Sequence, residues 1–155
     1  MENKELTLLK RYQYDKREEY DADEETRTIT NHQWVDALDV YEYDGTPYIV
    51  SVSWSNTEYG EWSDYYCRTL TLTVHPVDAA DADNGTKVRA IVADTKGFKY
   101  TKSAGPYLPT SYGDNRDRNG NYDPVYLDTR NEEFFTNDLR SRVIGAIDAY
   151  LADRR

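Results

Sequence analysis

One cysteine, one methionine and two histidines in 155 residues leave little room for thiol or metal chemistry. Cys67 alone cannot build a disulfide framework, and at the start of a predicted strand it reads as a small buried hydrophobe, not a reactive thiol. His32 and His75 are too few for a histidine-rich metal site. Neither a G-x-S-x-G string nor a Gly-rich phosphate loop after a strand is present. Long hydrophobic runs are missing too: nothing approaches the ~20 apolar residues needed to span a bilayer. The opening MENKELTLLK lacks the apolar centre of a signal peptide. These absences predict a cytoplasmic chain with no membrane contact and no cofactor. Its length suits a single domain, residues 1–155, large enough to bury roughly two-thirds of its unfolded surface.

Acid and tyrosine are abundant. The net charge is −10, with 29 acidic against 19 basic side chains, and there are 15 tyrosines. Residues 1–60 hold 14 acidic and 6 basic side chains, which accounts for −8; residues 61–155 hold 15 and 13, which accounts for −2. A negative field confined to one part of the fold disfavours direct contact with nucleic acid or an anionic membrane. General acidity also serves solubility, or adaptation to salt, and needs no partner.

Leu38 to Ser55, LDVYEYDGTPYIVSVSWS, reads as a hairpin around Asp44-Gly45-Thr46-Pro47. Tyr48, Val50, Val52 and Trp54 alternate with Ile49, Ser51, Ser53 and Ser55, so one face is apolar. Leu70, Leu72 and Val74 alternate with threonines in the next clear strand, 67–77. The pattern extends the sheet through Thr86 to Asp94, with Thr95-Lys96-Gly97 as a second hairpin turn onto Phe98 to Ser103. Leu139, Val143, Ala146, Ile147 and Tyr150 recur at helical spacing. The fold class is therefore α+β: an antiparallel sheet of four to six strands over about 38–103, with a C-terminal amphipathic helix over about 131–153 packed on one face. Thr129 with Glu132, or alternatively Thr136, supplies its N-cap. Leu6, Leu9 and Gln13 suggest a short N-terminal helix over residues 3–18. The acidic N-terminal segment 1–30 includes EEYDADEE at residues 18–25, which reads as a solvated loop. Thr26 to Thr30 reads as a short strand, and Asn31 as the cap of one helical turn carrying Trp34, Val35 and Leu38. Residues 56–66, NTEYGEWSDYY, and 104–128 read as long connections.

Asn115, Asp117, Asn119, Gly120, Asn121 and Asp123 have the spacing of a calcium loop, and over this stretch the chain resembles an EF-hand loop. Tyr126 stands where the bidentate Glu belongs, and Arg116 and Arg118 add positive charge. Calcium binding by Asn115, Asp117, Asn119 and Asp123 is thus not expected at physiological concentrations. The acid pair Glu58 and Glu61 names no enzyme site in so acidic a chain.

Three function classes remain. The favoured one is a small acidic inhibitor that binds a basic protein partner, most concretely a nucleic-acid-binding nuclease, by imitating phosphate charge. Glu18, Glu19, Asp21, Asp23, Glu24 and Glu25 supply the charge; Tyr59, Trp62, Tyr65 and Tyr66 supply rings of the type enriched at binding hot spots. In general character the chain resembles small acidic phage proteins that block bacterial defence nucleases, anti-CRISPR proteins among them, which implies action in the host cytoplasm; no motif is shared. The alternatives are a calcium-stabilised or scaffold-type binding module and a small enzyme.

Overall fold

The computed structural model describes residues 4–25, 28–60, 65–107 and 137–154. Five strands, β1 (Leu6–Asp23), β2 (Thr28–Tyr43), β3 (Thr46–Gly60), β4 (Tyr65–Pro76) and β5 (Phe98–Tyr107), form one antiparallel sheet in chain order. Helix α1 (Gly85–Asp94) joins β4 to β5, and helix α2 (Asn137–Asp153) follows. This is the α+β architecture that the alternation in β3 and β4 predicts. The β2–β3 turn is Asp44-Gly45, with φ of 52° and 83°, the left-handed pair that a two-residue hairpin demands and glycine adopts without strain. Pro47 lies opposite Glu42, one residue before β3 begins pairing with β4 at Tyr48, so its missing N–H interrupts no ladder on that side.

Both sheet faces carry core. On one, α2 places Leu139, Val143, Ala146 and Ile147 against Val50, Val52, Trp54, Leu70 and Leu72, all buried. Tyr43 Oη donates to Asp148 Oδ1 at 2.8 Å and ties β2 to the same helix. On the other, Val88 of α1 packs with Leu38, Val40 and Ile49. Tyr12 joins this smaller cluster and donates its hydroxyl to the carbonyl of Ala82 at 2.8 Å. Asn84 caps α1 by accepting from the Lys87 amide.

Within the larger core Asp39 is completely buried. It accepts from Arg11 Nε at 2.8 Å, Arg11 Nη2 at 2.9 Å and Tyr41 Oη at 2.8 Å. A carboxylate so deep is tolerated because a two-pronged guanidinium and a hydroxyl replace its water. Burial, reinforced by the adjacent Asp39 charge, pushes the Tyr41 hydroxyl pKa far above its ordinary value, so it remains a donor.

Several local expectations are corrected. The N-terminal stretch is strand β1, not a helix over 3–18. Its register shifts between Leu8 and Lys10 and again between Arg11 and Gln13, so Leu6, Leu8, Arg11 and Tyr14 face the same side. Those bulges turn a period of two into steps of two, three and three, which imitates a helix. The acidic run is strand as far as Asp23, and the helical turn after Asn31 is part of an uninterrupted β2. The aromatic connection shrinks to residues 61–64, because β3 reaches Gly60 and β4 begins at Tyr65. The predicted strand at 86–94 is α1: Val88, Ile91 and Val92 fit a helical stripe as well as Val88, Ala90 and Val92 fit alternation, and the Asn84 cap decides. Residues 95–97 therefore link a helix to a strand. Residues 104–107 continue β5; the rest of the 104–128 connection, the capping candidates Thr129, Glu132 and Thr136, and the helix start before residue 137 lie outside the described residues.

Strand and helix lengths differ in a way that positions the candidate site. β1 has 18 residues, about 60 Å at ~3.4 Å per residue. α2 has 17, about 25 Å at ~1.5 Å per residue. Among the described residues the sheet therefore extends at one end beyond the cluster that α2 packs against, and β3–β4 pairing continues to that end.

Candidate functional site: the acidic end of the sheet

Strand pairing holds the acidic segment extended. Glu18 is paired with Gln33, Glu19 with His32, Asp21 with Thr30 and Asp23 with Thr28, with no register shift from Gln13 onward. Glu24 and Glu25 form the turn, where the Glu25 amide donates to Asp23 Oδ1 at 2.9 Å. All six predicted carboxylates are exposed. Because strand side chains alternate, Glu19, Asp21 and Asp23 share one face, spaced ~6.8 Å apart along β1, and Glu18 lies on the other. Among the described residues no cation reaches ion-pair distance of Glu19, Asp21, Glu24 or Glu25.

Each face of this end is braced. On the Glu18 face a hydrogen-bonded chain crosses four strands: Arg68 Nε donates to Asn56 Oδ1 at 2.9 Å, Asn56 Nδ2 to Gln33 Oε1 at 3.0 Å, and Gln33 Nε2 to Glu18 Oε2 at 2.8 Å. Arg68 and Asn56 are buried, so the outermost carboxylate is anchored in the interior of the sheet. On the opposite face the Arg17 guanidinium sits 4.5 Å from the Trp34 ring centroid, and the His32 ring stacks on Trp34 at 5.4 Å. His32 Nδ1 and Thr57 Oγ1 are 2.9 Å apart. Cation–ring contacts of this kind contribute about 0.5 to 2 kcal/mol.

The register brings the aromatic candidates to the same end. Asp21, Thr30, Tyr59 and Tyr65 occupy one row across four strands, and Tyr20, Asn31, Glu58 and Tyr66 the next. The side chains of Tyr59, Tyr65 and Tyr66, and all of Trp62, lie outside the described residues, as do Asn115, Asp117, Asn119 and Asp123. No protein-family model, curated protein or solved structure matches this chain. Its chemistry has to be read from its own residues. Among the described residues no three His, Cys, Asp or Glu side chains are grouped to hold a metal ion. No helix among them is long and apolar enough to cross a membrane.

Sequence reasoning missed Tyr20, whose ring is 65% exposed in the middle of the acidic strand. Its isolation between acids is visible in EEYDADEE. The bracing residues Gln33, Asn56 and Arg68 carry no comparable local signal, since they meet only through strand pairing.

Proposed function

We propose that this protein binds a basic partner through the acidic end of the β1–β2 hairpin, occupying a surface that otherwise holds nucleic acid. The observation that carries the reading is the extended, exposed row Glu18, Glu19, Asp21 and Asp23. Glu19, Asp21 and Asp23 recur every ~6.8 Å on one face, about one carboxylate for every two phosphates at the ~3.4 Å of axis per phosphate in one strand of B-DNA, and Glu18 adds a charge on the other face. Bracing by Gln33 on one face and by Trp34 and Arg17 on the other reduces the ordering that binding would cost. A nucleic-acid-binding nuclease, such as a bacterial defence enzyme countered by a phage protein, is the most concrete partner of this kind. Tyr20, together with Tyr59, Trp62, Tyr65 and Tyr66, would supply ring contacts beside the charge.

Affinity capture from bacterial lysate followed by mass spectrometry tests this. The full chain is expected to retain a basic nucleic-acid-binding protein. A variant with Glu18, Glu19, Asp21, Asp23, Glu24 and Glu25 changed to Gln or Asn should lose it. Association should slow as salt rises, because at ~0.15 M the screening length is about 8 Å. Unchanged recovery by the neutralised variant contradicts the proposal.

A further inference from the structure

At the other end of the strands, where β3 begins and β4 ends, lies an open pocket of about 400 Å³. Such a volume falls in the range of small-ligand sites, which are mainly apolar with a few placed polar groups. Its wall is mixed, with Tyr48, Val77, Ile91 and Leu151 supplying the apolar part. Charge enters from two directions. Asp78 and Asp81 come from the β4–α1 connection, and Arg154 from just past the end of α2. The carboxylates and the guanidinium thus reach the same pocket from different elements.

Among the described residues Arg154 forms no ion pair with Asp78 or Asp81. The guanidinium, which has five N–H donors, gives one to Tyr150 Oη at 2.6 Å and lies 5.4 Å from the Tyr150 ring centroid. That contact orients it and leaves donors for a carboxylate. A partly apolar wall with anionic groups from one element and an oriented cation from another complements a molecule with the reverse charges and an apolar portion.

We infer that this pocket binds an apolar zwitterion, a free amino acid or a short peptide, with its ammonium at Asp78 and Asp81, its carboxylate at Arg154, and its apolar side chain against Val77, Ile91 and Leu151. The site is separate from the acidic end, and either can fail without the other.

Isothermal titration calorimetry of the full chain with L-leucine, L-leucyl-L-leucine, N-acetyl-L-leucine and L-leucinamide tests the inference. Leucine or the dipeptide should bind with a Kd of about 1 mM or tighter; the tighter of the two identifies an amino acid or a peptide as the source. Each blocked analogue lacks one charge and should bind at least about tenfold more weakly, as should the variants Arg154→Met and Asp78→Asn/Asp81→Asn. Arg154→Lys should restore part of the affinity, and thermal melts check that each variant folds. Methyl chemical-shift changes on the unmodified protein should map to Val77, Ile91 and Leu151. No binding of either zwitterion up to about 10 mM, equal binding of the blocked analogues, indifference to the substitutions, or shifts at other methyls would each overturn the inference.

Discussion

Replacing Asp39 with Ala is the sharpest test of how the larger core is held. The substitution removes three hydrogen bonds at 2.8, 2.9 and 2.8 Å and the counter-charge of Arg11. Asp39 is 0% exposed and the Arg11 side chain 16%, so water can reach the guanidinium only partly once its partner is gone. Breaking a buried pair in this way costs about 3 to 5 kcal/mol. The lower end of that range applies, because β1 is an edge strand and Arg11 has some access to solvent. By contrast, changing Arg11→Met, Asp39→Leu and Tyr41→Phe together removes the charges along with their desolvation, and should fall within about 2 kcal/mol of the original chain. Urea denaturation followed by circular dichroism at constant m-value measures both variants. A cost under about 1 kcal/mol for Asp39→Ala, or a triple variant as unstable as the single one, would refute the reasoning.

Three further outcomes are expected. Burial holds the His75 pKa below its ordinary 6.5, so under that pH the unfolded chain takes up a proton that the native chain resists, and stability falls with pH while remaining flat above. The difference in melting temperature between the protein and His75→Gln should change between about pH 7 and pH 5, and a constant difference would contradict it. Gly97→Ala would drive a Cβ into Thr73 Cγ2 and to 2.5 Å from His75 Nε2; a loss of about 1 to 3 kcal/mol is expected, and an unchanged urea midpoint would show that the close approach is absent. Leu72→Ala and Ile147→Ala, both fully buried on facing elements, should each cost about 2 to 5 kcal/mol, and midpoints like the original would exclude the packing of α2 on the sheet.

What was legible in the sequence followed from parity. In β3 and β4 the alternation of Tyr48 to Ser55 and of Leu70 to Val74 is unbroken, so the apolar face and the helix that covers it could be read directly. In β1 the two bulges reset parity at Leu8 and Arg11, and the strand was disguised as a helix. α1 failed for the opposite reason: ten residues with three usable apolar positions fit either period, and the choice was made by Asn84 outside the run. The exposure of the acidic segment was plain from its composition. Its extended shape was not, because only pairing with β2 imposes it, and no local propensity favours EEYDADEE as a strand. The pocket near Arg154 was invisible for a related reason, since its walls come from elements far apart in the chain.

The chain of hydrogen bonds from Arg68 to Glu18 has a sense of direction. A guanidinium can only give protons and a carboxylate can only receive them, so the amides of Asn56 and Gln33 are each forced into one of their two orientations. Changing Glu18 to Lys would put donors at both termini. Whichever way the two amides then turned, one junction would bring NH groups face to face as long as the side chain at 18 stayed in the row, so it would have to leave the row for solvent. The acceptor at residue 18 thus completes a donor sequence that begins at a side chain three strands away.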